Sequence, residues 1–301
     1  MRTLLSNRDA VDLAQVRRFI LGTLSTAQAE AVNEVIYVDG GAGQNSYDGK
    51  SPDRAKATIA AALAVATAGD VVAVFPGTYA EHVTMAVANV SLVGLGDVPR
   101  QVLLFSAAVD ATPMINITAQ GCCVANLRCS CGEVTNASMI QVYRVPNCRI
   151  ERCEFFLDAG AIPVLVGVCL SGAIAECYHN TVVDCLFDGV TEGILFDANA
   201  TMPNGNFIDK CTFVNGVTAD ITDGGVALAV TLVWITECKF LGVGGAAPVD
   251  YIILDNAGTT GAIARCVFAH ATHAAAEIVV AGTLLCVSNY TVAGVSIAAP
   301  A

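Results

Sequence analysis

A pattern of aliphatic, cysteine and phenylalanine positions recurs through the second half of the chain. Five segments have the form aliphatic-x-x-Cys-x-Phe, and successive cysteines are 32, 26, 27 and 28 residues apart. The stretches between the segments contain Gly, Asn and Asp, which favour turns. The repeated positions are Cys153, Cys185, Cys211, Cys238 and Cys266, followed by Phe155, Phe187, Phe213, Phe240 and Phe268.

A period near 27 residues with strand-like segments predicts a parallel β-solenoid, in which each repeat forms one rung. Equivalent residues then stack at the strand spacing of about 4.8 Å, so the cysteines and the phenylalanines each form an interior structural ladder. The aliphatic position has the wrong parity to share a flat strand face with Cys and Phe. We therefore expect a bend between the aliphatic position and the cysteine.

The residue before each repeated cysteine is charged, and its sign alternates along the chain. Opposite charges at strand spacing attract, whereas like charges repel, so the alternation predicts an outward charge ladder. Each exposed pair contributes only about 0–1 kcal/mol, which suits a role in register rather than in stability. The ladder consists of Arg152, Asp184, Lys210, Glu237 and Arg265.

The region before the repeats predicts a short mixed unit. Residues 35–38 have the pattern of a strand, and a Gly-rich loop follows. Ser51, Pro52 and Asp53 resemble a helix start, with a cap, a first-turn proline and an acid. The helix body is expected to continue to Gly69, and residues 70–81 then predict a strand, a turn and a second strand.

Residues 1–34 predict a separate helical arm, and residues 35–301 the β-helix domain. The arm carries an apolar stripe of Val11, Val16, Phe19 and Ile20, which we expect to bind a partner, because a lone short helix is marginal in water. The alternative is that the arm folds back over an open end of its own coil.

Charge and cysteine content exclude several classes of protein. The chain has 15 Lys and Arg against 27 Asp and Glu, a net charge of −12, which disfavours binding to nucleic acid. The longest uncharged stretch, residues 159–175, is broken by Gly and Pro and is too short to span a membrane. The first residues lack an apolar signal region, so the 13 cysteines are expected to be free thiols in a reducing compartment.

The stretch VDGGAGQNSYDGKSPDRAKATIAAALAVATAGDVVAVFPGTYAEHVTM, followed by VSLVGLGD, resembles the opening of pectin-lyase-like proteins. The resemblance implies an all-β fold, a right-handed single-stranded parallel β-helix with a helix over its first rung. The superfamily includes pectate lyases, polygalacturonases, phage tailspikes, adhesins and virion structural proteins. Fold by itself does not establish function.

The catalytic motifs of these enzymes are absent from the sequence. It has no NTD, DD or GHG string, and its arginines have no acidic cluster beside them in sequence. Glycoside hydrolysis needs two carboxylates roughly 5–9 Å apart, and neighbouring rungs could supply them. The candidate groups are Asp184, Asp188 and Glu192 with Asp209, or Asp220 with Asp223, but Asp beside Gly is more typical of a turn.

Metal sites are also not favoured by the sequence. The histidines are His82, His179, His270 and His273, and only the last two could lie close together. The loop from Asp39 to Gly49 offers oxygen ligands at Asn45 and Asp48, but it lacks the spacing of a known calcium loop. We therefore predict no catalytic, cofactor-binding or metal-binding residue and no cofactor.

These observations together favour a non-catalytic phage virion structural protein, assembled in the host cytoplasm. The leading expectation is a head decoration (cement) protein, anchored by residues 1–34 to the major capsid protein or another virion protein. A homotrimer is expected because residues 226–230 and 251–254 are apolar at both strand parities. The alternatives are a tailspike or tail-fibre receptor-binding protein, or a polysaccharide-cleaving lyase or hydrolase.

Overall fold

The fold was analysed in a computed structural model of the 301-residue chain. The sequence-predicted arm, with its stripe of Val11, Val16, Phe19 and Ile20, lies outside the described residues. The structure describes residues 33–106, 112–131, 138–157, 166–172, 177–197, 203–216, 218–224, 229–241, 250–254, 256–269, 278–280, 283–291 and 296–297.

Within these residues the strands stack into three sheets, and every pairing is parallel except that of the last two strands of sheet B. Sheet A contains β1 (Val35–Val38), β2 (Val71–Val74), β5 (Ser91–Gly94), β8 (Cys123–Ala125), β11 (Arg149–Glu151), β14 (Thr181–Val183), β17 (Phe207–Asp209), β20 (Val233–Thr236), β23 (Thr260–Ala264) and β26 (Thr283–Val287). Sheet B contains β3 (Gly77–Tyr79), β6 (Val102–Ser106), β9 (Arg128–Cys131), β12 (Glu154–Leu157), β15 (Leu186–Asp188), β18 (Thr212–Val214), β21 (Lys239–Leu241), β24 (Val267–Phe268), β27 (Asn289–Thr291) and β28 (Ser296–Ile297). Sheet C contains β4 (Val83–Met85), β7 (Ile115–Ile117), β10 (Ser138–Tyr143), β13 (Val166–Ser171), β16 (Glu192–Asp197), β19 (Ala219–Thr222), β22 (Asp250–Leu254) and β25 (Ile278–Val280).

The chain visits sheets A, B and C in turn and then begins the next rung, as β11, β12 and β13 show. This arrangement confirms the predicted parallel β-solenoid, and it is consistent with a right-handed parallel β-helix. Each backbone N–H and C=O of a strand bonds to the rung before or after, so the sheets continue along the whole axis. No helix in the described part of the chain is long and apolar enough to cross a membrane.

The repeated phenylalanines form one interior column on sheet B. Their register runs from Phe155 through Phe187, Phe213 and Phe240 to Phe268. Successive ring centroids are 4.7, 4.8, 5.0 and 4.7 Å apart, and neighbouring rings are tilted by no more than 10°. The rings fill the coil interior, and Tyr251 of sheet C packs at an angle against Phe240 and Phe268.

The repeated cysteines form a second buried column beside the first. Each Sγ lies near two backbone carbonyls, as Cys185 does near Ile150 and Val183. All 13 cysteines are free, and Cys286 alone among them is partly exposed. Burial raises the pKa of Cys153 and Cys185 well above that of an ordinary thiol. These thiols are therefore packing groups rather than nucleophiles at neutral pH.

The predicted long helix after the Gly-rich loop is shorter than expected. Ser51 makes no side-chain cap and begins only a 3-10 turn, Pro52–Arg54. The α-helix α1 (Ile59–Leu63) begins after Thr58, whose hydroxyl accepts a bond from the Ala61 N–H. Both carboxylate oxygens of Glu81 accept the N–H groups of Ile59 and Ala60. A tertiary contact from the strand region thus determines where this helix begins.

One of the two segments that suggested a trimer is explained within the chain. In residues 251–254, Tyr251, Ile252 and Leu254 are all buried, so apolar side chains at both parities pack inside the coil. The other segment lies partly outside the described residues. The homotrimer stays a prediction.

Candidate functional site

From β8 onward, a single left-handed residue forms the bend between sheets A and B on each rung. Arg152 has φ 49°, Asp184 φ 53° and Lys210 φ 54°, and Asn126, Glu237 and Arg265 have similar values. The backbone N–H of the bend residue still bonds across the rungs, as Arg152 does to the Val183 carbonyl at 3.1 Å. This one residue turns the chain, so that the aliphatic position and the cysteine both face inward. The side chains of the charged bend residues lie outside, as the charge ladder predicts, whereas Asn126 is buried and donates to the carbonyl groups of Gly94 and Gly96.

The bend residues line a groove of about 390 Å³ that runs along the solenoid axis. It extends over four successive bends, from Asn126 to Lys210, which corresponds to roughly 14 Å at a strand spacing of about 4.8 Å, and the connection before β6 adds Asp97 and Pro99. Seven of its 11 lining residues are polar or charged, and most of these come from the bends and from the first residues of the sheet B strands. The lining residues are Asp97, Pro99, Asn126, Arg152, Cys153, Glu154, Asp184, Cys185, Leu186, Lys210 and Thr212.

The charge ladder is ion-paired from Lys210, at one end of the groove, to Arg265, and within the described part of the chain it is unpaired at Arg152 and Asp184 in the middle of the groove. Arg265 approaches Glu237 at 2.9 Å, and Glu237 lies 4.0 Å from Lys210. By contrast, neither Arg152 nor Asp184 has an ion-pair partner within 4.0 Å among the described side chains. The Nε of Arg152 is buried there without a hydrogen-bond partner in the described structure.

Glu154 is a groove carboxylate that lies between two arginines. Its side chain is 14% exposed, and it lies 3.6 Å from Arg100 Nη2 and 3.8 Å from Arg128 Nε. Arg128 in turn lies over the ring of Phe156, with its guanidinium carbon 4.4 Å from the ring centroid. Both contacts are longer than a hydrogen bond, so the two arginines attract the Glu154 carboxylate by charge from two sides. The groove therefore combines a carboxylate flanked by arginines, Glu154, with an exposed one, Asp184.

Several solved structures share this architecture. A pectin methylesterase from Aspergillus niger aligns with a TM-score of 0.56 and 15% identity, covering 89% of this chain and 92% of that one. Pectin methylesterase PemA from Erwinia chrysanthemi aligns with a TM-score of 0.52 and 12% identity over the same shares. A rhamnogalacturonan lyase aligns with a TM-score of 0.61 and 14% identity, covering 88% of this chain and 75% of that one. The chain has the pectin-lyase-like β-helix fold.

At this level of identity the likeness establishes the pectin-lyase-like fold alone. No protein-family model matches the sequence, and a comparison with curated proteins finds no match.

The expectation of a non-catalytic phage head decoration protein is wrong. The pectin-lyase-like structures that this chain resembles are pectin methylesterases and a lyase, which favour an enzyme, and nothing in the comparisons indicates a phage origin. The physical reason for the error is that the repeat reflects the stacking of interior side chains, which proteins of this fold share whatever their function. Function depends on the outward positions, which the repeat leaves free to vary.

Of the first group of carboxylates suggested by the sequence, Asp184 and Asp209 are neighbours through their backbones, with the Asp184 N–H donating to the Asp209 carbonyl oxygen at 3.0 Å, but their side chains have different surroundings. Asp188 faces out from sheet B and accepts a bond from Asn215 Nδ2 at 3.1 Å. Asp209 lies on sheet A, where it accepts a 2.5 Å bond from Thr236 Oγ1. Glu192 begins a strand of sheet C, and burial raises its pKa. These acids share neighbouring rungs but are distributed over three faces, and of this group only Asp184 lines the groove.

The second suggested pair, Asp220 and Asp223, is buried. Asp220 is 3% exposed, and burial raises the pKa of its carboxyl to about 8. Asp223 is fully buried at the end of the same strand. Two carboxyl groups enclosed in this way have no access to a polymeric substrate, so they do not form a catalytic pair.

The sequence did not reveal that Arg152 has acidic neighbours. Asp97, Glu154 and Asp184 lie on three different rungs, yet they line the same groove as Arg152. The available signal was the position between Cys and Phe in the repeat, which faces outward beside the bend and holds Glu154. Reading that position together with the charge ladder would have identified the groove.

The loop from Asp39 to Gly49 uses its oxygen ligands internally. Asn45 Oδ1 accepts the N–H groups of Ala57 and Thr58, at 3.0 and 3.1 Å. Asp48 pairs with Arg54 at 3.2 Å. This favours the reading of the loop as a connector.

Two of the four histidines can be placed. His82 and His179 are exposed, and His270 and His273 lie outside the described residues. Within those residues, no group of three or more His, Cys, Asp or Glu side chains is arranged to hold a metal ion.

Proposed function

We propose that this protein is a polysaccharide hydrolase whose active site is the groove along the bend between sheets A and B. The observation that carries the proposal is the open stretch of the charge ladder. Arg152 and Asp184 lack ion-pair partners in the described structure where the groove runs, whereas the ladder is paired from Lys210 to Arg265. Unpaired charges in a groove are available to a ligand.

The shape of the groove supports a polymeric substrate. A groove parallel to the axis presents the same kind of position on every rung, about 4.8 Å apart, so an extended chain meets repeated polar groups. Fold neighbours of this chain are named as pectin methylesterases and a rhamnogalacturonan lyase, which act on polysaccharides. Those names suggest the substrate class, and the groove supplies the place.

Glu154 and Asp184 are the two carboxylates of the proposed mechanism. Glu154 pairs directly with Leu186, and Asp184 lies two residues before Leu186. One strand spacing and two residues, one of them at the bend, separate the two Cα atoms, so these lie no more than roughly 8 Å apart. The two carboxyl groups are therefore within reach of the separation that glycoside hydrolysis uses. Glu154, beside Arg100 and Arg128, accepts a proton from the attacking water, whose hydroxyl bonds to the sugar carbon and becomes that of the new reducing end. Asp184 donates its proton to the leaving oxygen as the glycosidic C–O bond breaks, and exchange with solvent returns the proton from Glu154 to Asp184.

Arg152 is the substrate-positioning residue of the proposal. Its guanidinium group can bind a carboxyl or hydroxyl group of a sugar unit. The net charge of −12 opposes a densely anionic polymer, so the substrate class is a polysaccharide with few or partly esterified carboxyl groups. Arg152 provides local positive charge in the groove where those groups bind.

The test is hydrolysis of a panel of pectins of different esterification, xylan and β-glucan by the purified full chain. We expect new reducing ends from at least one polymer. Glu154→Gln and Asp184→Asn should each lower kcat about 10²-fold or more, as loss of a catalytic carboxylate does. Asp188→Asn is the matched control, because it removes a carboxylate of sheet B outside the groove.

Two results would overturn the proposal. One is no new reducing ends from any polymer, including the case in which methanol alone is released from esterified pectin. The other is unchanged hydrolysis by both groove variants.

A further inference from the structure

Two aromatic rings lie exposed side by side on the outer face of sheet A. Phe207 and Trp234 are direct partners on neighbouring rungs, and their ring planes differ by 10° with centroids 6.5 Å apart. Phe207 is 42% exposed and Trp234 is 41% exposed, whereas the repeated phenylalanines of the interior are almost fully buried. Trp234 is the single tryptophan of the chain. Packing of the interior does not explain two neighbouring rings that are each about two fifths exposed.

Polar groups border the ring pair on the side of the groove. Asp209 and Thr236 lie two residues beyond the rings on the same strands, and they are hydrogen-bonded to each other. Lys210 follows Asp209 at the bend, approaches its carboxylate at 3.3 Å and lines the groove. A single rung therefore leads from Phe207 through Asp209 to Lys210. The ring pair is continuous with the groove.

We propose that Phe207 and Trp234 form a sugar-stacking platform that holds a polysaccharide chain beside the groove, an inference that rests on the proposed hydrolase function. A pyranose ring has an apolar C–H face and a rim of hydroxyl groups. The aromatic rings can pack against the C–H face, and Asp209, Thr236 and Lys210 can hydrogen-bond to the hydroxyl groups. The platform lies on a different sheet from Glu154, so its role is to bind the polymer and raise its local concentration.

The surroundings favour a sugar over a protein partner. Protein interface cores are depleted of charge, yet Asp209 and Lys210 lie directly beside the rings. In the same outward column the rings are followed by Thr181 on one side and Ala262 on the other, so the aromatic surface is only two rungs wide. Leu232 and Leu285 are exposed nearby, and a contact between two copies of the chain is the competing outcome.

The test is binding of partly esterified pectin and of xylan to the full chain, measured by retardation in polysaccharide-containing native gels. The inactive Glu154→Gln protein is used so that the polymer is not consumed. We expect at least one polymer to retard it and to shift the fluorescence of its single tryptophan. Phe207→Ala or Trp234→Ala added to that protein should weaken retardation at least tenfold. Leu285→Ala, another exposed apolar residue of the same sheet, is the matched control and should change it less than twofold.

Unchanged retardation by both aromatic variants, or no retardation of the parent by either polymer, would overturn the platform. So would a change of oligomeric state in Trp234→Ala with retardation intact, because the rings would then belong to a contact between copies. Thermal unfolding at the parent temperature shows that each variant is folded. The measurement does not use turnover, so retardation that depends on Trp234 in a protein without hydrolase activity would reject the proposed function and retain the platform.

Discussion

Each interior phenylalanine is supported by the equivalent residue of the neighbouring rung. Phe213 stacks on Phe187 at 4.8 Å and on Phe240 at 5.0 Å, so one ring makes two aromatic contacts. The facing strand leaves room for the ring through glycine. A Cβ added at Gly193 would lie 2.7 Å from Phe213 Cε1 and 2.5 Å from the Asp220 carbonyl oxygen. The size of one residue on sheet C is thus coupled to the ring on sheet B.

Phe213→Ala should lower the free energy of unfolding by about 3–5 kcal/mol, because it removes a buried ring and leaves a cavity between two others. Val214→Ala, the half-buried next residue of the same strand, is the control and should cost about 1 kcal/mol or less. Chemical denaturation followed by circular dichroism measures both. A loss below 1 kcal/mol for Phe213→Ala would contradict the stacked column.

Asp220 should make stability depend on pH. Burial raises the pKa of its carboxyl to about 8 in the folded chain, whereas an unfolded aspartate titrates near 3.8. Between these values the unfolded state releases the proton and the folded state keeps it, so stability falls as pH rises from about 4 to about 8. Above about pH 8 both states are ionised and the loss is complete.

Asp220→Asn should remove this dependence and stabilise the protein at pH 8.5 by a few kcal/mol, on the order expected for a shift of this size. Near pH 4 the variant and the parent should unfold at similar denaturant concentrations. Denaturation at pH 4.5, 6.5 and 8.5 provides the comparison, with Asp188→Asn as a surface control. Parallel pH profiles for Asp220→Asn and its parent would show that the Asp220 carboxyl does not carry the effect.

At the scale of elements, the bend and the loop after β1 are short segments that hydrogen bonds, and not regular secondary structure, keep in one conformation. A left-handed bend costs roughly 1 kcal/mol or more for a residue other than glycine, yet charged residues occupy this position on five successive rungs. The N–H bond to the next rung offsets part of that cost. Because the bend keeps its side chain outside, substitutions there change the groove without changing the interior.

The loop after β1 should be stabilised by its own hydrogen bonds and not by calcium. Asn45→Ala removes acceptors of the Ala57 and Thr58 N–H groups and should cost about 1–2 kcal/mol. Gln44→Ala, its exposed neighbour, is the control. Millimolar calcium or a chelator should leave the Tm of the parent unchanged. A rise in Tm with calcium that disappears in Asn45→Ala would instead identify a binding site.

At the scale of the whole molecule, the fold is a continuous interior that excludes its thiols from water. Twelve cysteines are buried and Cys286 is partly exposed. Burial raises the pKa of Cys148 to about 12, which illustrates how far the thiolate is disfavoured. The buried thiols therefore stay reduced and unreactive as long as the chain is folded.

Thiol titration without reductant should find about one reactive group, Cys286, in the native protein and 13 groups after denaturation. Cys286→Ser should abolish the native reaction and leave 12 groups on denaturation. Rapid reaction of several native thiols, or a disulfide in the denatured protein, would contradict the closed interior.

The sequence by itself determined the solenoid fold and the residues that fill its interior. A residue that recurs every 26–32 positions must stack on its own kind in a rung-by-rung fold, so the Cys and Phe columns and the outward charges follow from the repeat. The wrong parity of the aliphatic position even required the bend that Arg152 and Asp184 provide.

Only the tertiary structure decided where the chemistry lies. The sequence gives rung neighbours but not which of three faces a residue occupies, and so Asp188, Glu192 and Asp209 separate while Glu154 and Asp184 share a groove. The start of α1 was likewise decided by Glu81, a residue from a later strand region. Interior positions repeat because each must match its neighbours above and below. Outward positions have no such constraint. Their functional role depends on which distant residues the bends bring together.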